Sequence, residues 1–472
     1  MFIQQFFVPG LAHSSYLLGG TETCAIIDPR RDVGIYLDAA ADIGMKITHI
    51  LQTHLHADFV SGHLDLAEAT GAVIIAPKTG NCEFTHQSVA EGDSFLIDDL
   101  EIQVLETPGH TPEHVTYVVI DHARGGEPAV IFCGDTLFVG DVGRPDLFPG
   151  MALDLAAKLF GSLHDKLMAL PPFCEVYPAH GAGSLCGRAM GAKRTSTLGY
   201  EKLYNSALAI NDKQQFITSL TTDMPEAPDH FSRCSEINRR GPALVDALPA
   251  PRPLPPRQFR EIMAGNGMLV LDVRDYSAFG GQHLPGSYHI DIAGNFATFA
   301  GWVLPPKQNI LLVTDQADDA AQAALLLRRV GLDQVVGYLE GGVFEWAKAG
   351  FTTDHVPQLS APELNRRVTT CDGLVLVDVR AAGEYEAAHV AGALHIPAPM
   401  MRTRHAELDP NRDIAVVCST GHRSSLAASI LKQHGFTQVW NVAGGMTGFN
   451  AAGFAPECPL CVVPHGPRFL GK

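Results

Sequence analysis

Through residues 1–200, short apolar runs of strand length recur between turn residues: SYLLGG, TCAIID, ITHILQT, AVIIAP, EIQVLETPG, HVTYVVI and AVIFCGD. Two segments between them, VGIYLDAAADIG and DLAAKLFGSLHDKLMAL, place apolar residues at helical spacing instead. Strands mixed with helices at this interval predict a layered α/β domain. The pattern breaks over residues 224–258, where MPEAP and LPAPRPLPPRQ predict an extended, solvent-exposed connector.

Beyond the connector one pattern occurs twice. LVLDVRDYSAFGGQHLPGSYHI (269–290) echoes VLVDVRAAGEYEAAHVAGALHI (375–396), and GGVFEWAKAGF (341–351) echoes GGMTGFNAAGF (444–454). Strands alternating with helices in each copy fit a small parallel-sheet domain used twice. The expected layout is a first α/β domain over 1–222, a connector over 223–256, related domains over 257–353 and 358–457, and a tail over 458–472.

Composition narrows the possible roles. The 472 residues are too many for one ordinary domain. A formal net charge of −17 makes nucleic acid an unsuitable partner. The N-terminal segment has no basic start and no long apolar stretch before a small-residue cleavage site, and no apolar run is long enough to span a bilayer. Ten cysteines are scattered without a disulfide framework, so a reducing cytoplasm and no membrane partner are expected. Cys24, Cys82, Cys133, Cys174, Cys234 and Cys371 sit in or beside apolar runs and read as packing residues. The tail pair Cys458 and Cys461 has redox or zinc-knuckle spacing without a second pair of ligands.

Metal-ligand side chains cluster at the ends of the apolar runs. THLHADFVSGH (53–63) supplies His54, His56 and Asp58. His110 follows in ETPGHTPEH, Asp135 in IFCGDTLF and His180 in EVYPAHGAGS. Short loops at strand ends let imidazoles and carboxylates converge, and four such elements in order point to a metal site. Cys186 lies six residues past His180 and is a candidate sulfur relay. Arg144, in GRPDLF, could pair with a substrate anion or form a structural ion pair.

The order THxHxD, PGHTP, CGDTL, YPAH resembles the metallo-β-lactamase superfamily over about residues 1–200, which implies an αβ/βα sandwich. In many binuclear hydrolases of that superfamily the first motif continues with a histidine that helps hold a second metal. Phe59 stands there in this chain, and a phenyl ring cannot ligate. The resemblance extends to persulfide dioxygenases, and this implies one Fe(II) per chain held by His54, His110 and Asp135. His56, Asp58 and His180 would then orient ligands or bound water. Two imidazoles and a carboxylate with open positions suit non-haem iron, although residue types alone also admit zinc.

In the second repeat, IAVVCSTGHRSSLAASILKQHGF carries an apolar strand into a six-residue loop, 418–423, and then a helix. Loop amides, the positive end of that helix and Arg423 would together hold an anionic sulfur on Cys418. This segment, with DVR at 378–380 and HVAGALHIP, resembles a rhodanese domain, so Cys418 and Arg423 are the expected sulfur-transfer residues. Asp378 and Arg380 are expected to hold the fold. The first repeat has Thr314 opposite Cys418 and Asp319 opposite Arg423, in a loop with three carboxylates. It resembles a rhodanese fold without the activity, with a spacing, docking or dimerisation role as the default.

Together the parts imply a persulfide dioxygenase–rhodanese fusion in sulfide oxidation. A thiol persulfide and O2 would give sulfite and thiol, and sulfur transfer would give thiosulfate. A homodimer or homotetramer is implied by the same resemblance. The rivals are a zinc thioester hydrolase of the glyoxalase II type and a sulfur-carrier or sensing protein.

Overall fold

The computed structural model describes every residue except 189, 223, 225, 371 and 455–472. The pair Cys458 and Cys461, and Cys371, therefore lie outside the described residues. The chain divides into two compact units: Met1–Leu248 with Arg328–Gly331, and the remainder from Pro249. No helix among the described residues is long and apolar enough to cross a membrane.

The first unit holds two six-stranded sheets. One runs Phe2–Val8, His13–Gly19, Thr23–Ile27, Lys46–Leu51, Val73–Pro77, Gln87–Val89; the other runs Ser196–Thr197, Glu175–Pro178, Pro128–Gly134, Val115–Asp121, Leu100–Glu106, Ser94–Ile97. Their inner faces meet through Leu18, Ile27, Leu51 and Ile75 on one side and Ile102, Val104, Val119 and Phe132 on the other, all essentially dry. Helices Gly34–Asp42 and His63–Thr70 cover the first sheet through Tyr36, Ala40 and Leu66. Helices Ala152–Gly161 and Lys213–Thr221 cover the second through Leu159, Phe216 and Leu220. The layers are therefore αβ/βα, in which burial of both faces of each sheet explains the near-continuous apolar strands.

One part of the chain differs from the sequence reading. Within the expected extended connector, residues His230–Arg240 form a helix belonging to the first unit. Phe231, Cys234 and Asn238 recur on one face of it and are buried. The nearby prolines stand outside this amphipathic stretch, so its helical period prevails. Arg252–Leu254 is not extended linker either: it pairs in parallel with Val335–Leu339 as a sheet edge, where Pro253 is tolerated.

The second unit contains the two repeats, and each folds as a five-stranded parallel sheet of the same topology. The orders are Arg252–Leu254, Val335–Leu339, Asn309–Val313, Met268–Asp272, Tyr288–His289 and Gln358–Leu359, Val439–Val442, Ile414–Val417, Val375–Asp378, Leu394–His395. The DVR motif does the same work in both. Arg380 reaches back through Nε and Nη2 to both oxygens of Asp378, at 2.9 and 2.6 Å, and Arg274 does so with Asp272 at 2.9 and 2.7 Å. His289 and His395 then donate Nε2–H to the carbonyls of Arg274 and Arg380. These are buried ion pairs that hold adjacent strand ends together.

Removing one member of such a pair leaves the other charged and unpaired in the interior. Asp378→Ala should therefore destabilise the second repeat by roughly 3–5 kcal/mol. Thermal and denaturant unfolding would check it, and a cost under about 1 kcal/mol would show the pair to be dispensable.

Candidate metal centre and sulfur-carrying loop

Strand ends bring the metal-ligand side chains of the first unit together. Lys46–Leu51 runs into the loop bearing His54, His56 and Asp58; Leu100–Glu106 precedes His110; Pro128–Gly134 precedes Asp135; and Glu175–Pro178 precedes His180. His54, His110 and Asp135 form one group whose ligand atoms lie within 4.8 Å of one another; His56, Asp58 and His180 form another; Asp135, His180 and Cys186 form a third. All are buried.

In the first group, Nε2 of His110 and of His54 lie 3.3 and 3.9 Å from Asp135 Oδ2. Neither nitrogen has a hydrogen-bond partner among the described residues. The opposite ring nitrogens are engaged. His110 Nδ1 donates to the Arg144 carbonyl at 2.9 Å. His54 Nδ1 lies 2.9 Å from Thr53 Oγ1, whose own proton goes to Asp28 Oδ2 at 2.7 Å. Both rings therefore present an Nε2 lone pair beside Asp135. Burial holds both imidazoles below their usual pKa, His54 well below, which keeps them neutral as a metal requires. Two converging lone pairs and a carboxylate oxygen fit a metal ion, and the donor set leaves coordination positions open.

The surrounding groups set this geometry. His180 places Nδ1 2.7 Å from Asp135 Oδ1 and Nε2 2.8 Å from Asp58 Oδ2. Burial works to lower its pKa, but the two carboxylates outweigh burial and hold it well above the usual value. Asp28, with φ +50°, receives the Thr53 amide and lies 3.1 Å from His56 Nε2. His114 stacks on His54 at 4.7 Å and accepts the Asp135 amide on Nε2.

Phe59 is fully buried, its ring 4.5 Å from His56 and 6.5 Å from His180. His13, also fully buried, packs 4.1 Å from Phe59, and neither of its nitrogens has a hydrogen-bond partner among the described residues. Asn238, from the unexpected helix, donates to the carbonyls of His56 and Phe59 and accepts from the Ser61 amide. His13, Asp28, His114 and Asn238 have no signature in the sequence. Only the polarity of HSS ahead of the apolar YLLGG hinted at a strand end facing something polar.

Two further expected residues lie close to the centre. Arg144 is buried, and it grips Asp146 through Nε and Nη2 at 2.6 and 2.7 Å while Nη1 reaches the Leu185 carbonyl. Of its two sequence readings, the geometry gives the ion pair. Its backbone carbonyl is what serves the site, by orienting His110. Cys186 is buried beside Asp135 and His180, where burial first and then the carboxylates of Asp58 and Asp135 push its thiol pKa well up.

In the second unit, strand Ile414–Val417 delivers Cys418 to a loop that ends in helix His422–Gln433. Cys418 is buried, and its Sγ receives the Gly421 amide at 3.1 Å and the Ser424 hydroxyl at 3.3 Å. Gly445, with φ +52°, lies against the back of this loop, where any Cβ would come within 2.2 Å of the Cys418 carbonyl. Arg423 does not act as a lone charge at the sulfur. It pairs with Glu384 through both Nη atoms at 2.6 and 2.9 Å, and with Ser419 Oγ at 2.7 Å. In the first repeat, Ala278 stands opposite Glu384, so this pair is missing there along with the cysteine.

Comparison with known proteins agrees with this division. Residues 8–180 match the metallo-beta-lactamase superfamily, and residues 255–349 and 360–452 each match the rhodanese-like domain. The chain is 40% identical to a hydroxyacylglutathione hydrolase of Rhodospirillum rubrum over 34% of its own length and 58% of that protein's. It thus spans little more than half of that relative. It is 30% identical to the mitochondrial persulfide dioxygenase ETHE1 of Bos taurus, over 41% of this chain and 73% of that one. A crystal structure of a metallo-beta-lactamase from Staphylococcus aureus subsp. aureus COL superposes with a TM-score of 0.65 at 34% identity, covering 72% of this chain and 98% of that chain.

Phe59 adjoins Asp58, His56 and His180, so an imidazole there would complete a second donor set. Phe59→His should raise the zinc bound by metal-loaded protein from about one to about two ions per chain, read by elemental analysis after gel filtration. A count that stays at one would show that Phe59 is not what limits the site.

Proposed function

Because the chain belongs to the metallo-β-lactamase superfamily and carries two rhodanese-like domains behind that fold, we propose that it is a persulfide dioxygenase fused to a sulfurtransferase. The observation that carries this reading is Phe59, which removes the second metal's imidazole and leaves the buried set His54, His110 and Asp135 with open positions. A hydrolase that activates water between two metals needs the group this chain has replaced. The reaction is R–S–SH + O2 + H2O → R–SH + SO3²⁻ + 2 H⁺, in which the terminal sulfur loses four electrons and O2 gains them. A ferrous ion held by His54, His110 and Asp135 supplies the redox chemistry that O2 lacks toward sulfur on its own.

The chain's own groups do the rest. The Thr53–Asp28 hydrogen bonds and the Arg144 carbonyl fix the two imidazoles, while His180 holds Asp135 in place from the other side. Phe59 and His13 pack as a buried wall beside that donor set. Cys186, within reach of Asp135 and His180, would be the thiol that relays sulfane sulfur.

Cys418 is the sulfur carrier of the second unit. Its thiolate attacks the sulfane sulfur of a persulfide: Cys418–S⁻ + R–S–SH → Cys418–S–S⁻ + R–SH. Sulfite then takes that sulfur: Cys418–S–S⁻ + SO3²⁻ → Cys418–S⁻ + S2O3²⁻. The Gly421 amide and the Ser424 hydroxyl stabilise negative charge on sulfur in both steps. Thr314 and its acidic loop offer neither a nucleophile nor such stabilisation.

The relatives include a thioester hydrolase as well as a dioxygenase, so the test separates them. Protein purified without air should carry iron rather than zinc and consume O2 when given glutathione persulfide. Zinc content with cleavage of a hydroxyacyl thioester of glutathione, and no O2 uptake, would establish the hydrolase instead.

Cys418→Ala should leave O2 uptake within about twofold of the parent while thiosulfate formation falls by at least a hundredfold, leaving sulfite as the product. Ion chromatography of the products reads this directly, and thiosulfate formed at the parental rate would remove Cys418 from the scheme.

A further inference from the structure

The cysteine-less repeat has no nucleophile, yet two of its side chains lie on the Cys418 loop. Gly421, whose amide points at Cys418 Sγ, has φ +106° and faces the ring of Tyr276. A Cβ at Gly421 would stand 3.0–3.2 Å from three carbons of that ring. The next residue, His422, places Nδ1 3.0 Å from Asp291 Oδ2, and its ring meets Tyr276 edge-on at 5.1 Å. Asp291 is itself buried, and its other oxygen accepts the Ala293 amide at 2.9 Å.

The topology of the repeat explains how these two residues arrive together. Tyr276 opens the helix after strand Met268–Asp272, and Asp291 follows strand Tyr288–His289, so both project from carboxyl ends of neighbouring strands. That end of a parallel sheet is where a rhodanese-like fold carries its own loop. Here it is applied to the loop of the other repeat. Helix His422–Gln433 is fixed there at two further points: the His289 amide donates to buried Ser429 Oγ at 3.0 Å, and Lys432 Nζ lies 2.9 Å from Asp354 Oδ2.

Internal alignment of the repeats sharpens the point. In the register that pairs Asp272 with Asp378 and His289 with His395, Tyr276 falls opposite Ala382 and Asp291 opposite Pro397. The two side chains that touch the Cys418 loop are thus among those that distinguish the cysteine-less repeat from its partner. They are not parts of the shared fold.

We propose that the cysteine-less repeat forms the second wall of the sulfur-transfer site, with Tyr276 and Asp291 as positioning residues that pin Gly421 and His422 around Cys418. The Asn441 side chain of its own repeat holds the Gly421 carbonyl at 3.2 Å, and the ring of Tyr276 adds the confinement that keeps the Gly421 N–H directed at sulfur. Asp291 fixes the first turn of the helix whose amino end faces the same atom. This inference rests on Cys418 being the sulfur carrier, and its test includes a readout that does not depend on turnover.

The test uses the full chain with Tyr276→Leu, Tyr276→Phe, Asp291→Ala and Asp291→Asn. Sulfur transfer from glutathione persulfide to sulfite gives kcat and KM, and iodoacetamide labelling of the Cys418 peptide gives the reactivity of the sulfur itself. Tyr276→Leu and Asp291→Ala should each lower kcat for transfer about tenfold with KM little changed, since misdirected groups cost turnover more than binding. Tyr276→Phe keeps the ring and Asp291→Asn keeps an acceptor, so both should stay within about threefold of the parent, a rescue that mere loss of folding would not produce. Labelling of Cys418 should change at least threefold in the two disruptive variants only, while O2 uptake by the first unit is unaltered. Unchanged kcat and unchanged labelling in Tyr276→Leu and Asp291→Ala would overturn the proposal without touching the role of Cys418. If the parent transfers no sulfur, the reading of Cys418 as carrier fails, and the labelling comparison alone then decides whether the two residues position its loop.

Discussion

Asp135 is a carboxylate with no solvent contact, and a buried charge of this kind is tolerable only where other groups compensate it. His180 does so directly at 2.7 Å, while the neutral rings of His110 and His54, at 3.3 and 3.9 Å, turn nitrogen lone pairs toward it. Burial would raise its pKa, yet His180 holds it well below the usual carboxylate range. The sandwich exists in this form around that carboxylate. Four strands from two sheets end at the same place because their loops must deliver its partners there. Outer residues such as Asp28, Thr53 and the Arg144 carbonyl fix the partners in turn. A change at Asp135 would therefore be felt through both the metal-ligand set and the His180–Asp58 pair.

Phe59 acquires its meaning within that arrangement. An aromatic side chain amid His13, His56 and His180 is a hydrophobic surface where the fold otherwise gathers polar groups. It withholds a ligand and also lowers the local polarity, so one half of the pocket binds metal while the other remains a protected wall. The helix His230–Arg240 makes the division durable, because Asn238 clamps the loop on either side of Phe59 through three hydrogen bonds.

Much of this was legible in the sequence, for physical reasons. Ligands placed at strand ends converge when the strands do, so the four motifs in chain order were enough to assemble the centre. Likewise the repeated DVR segments folded into two sheets of one topology, and Cys418 emerged at the end of its apolar strand. What escaped were groups whose role depends on proximity across the chain. Asn238 lies 182 residues from His56, and Asp28 lies 25 from Thr53. The helix bearing Asn238 was hidden by flanking prolines, although Phe231 and Cys234 carried its period. Arg423 shows the opposite error. Its charge was read correctly, but its partner Glu384 lies 39 residues away and takes up the guanidinium.

That partner is also one of the groups by which the two repeats differ together. With Ala278 in place of Glu384, an arginine at position 319, half-buried in the first turn of helix Ala317–Arg328, would stand without that carboxylate. Asp319 occupies the position instead, and Thr314 replaces the thiol those groups would support. The Asp272–Arg274 pair, which serves the sheet rather than the sulfur, is kept in full. The repeats thus share the residues that hold strands together and differ in those around Cys418. A domain under those constraints stays folded and specific while its strand-end face becomes available for another use.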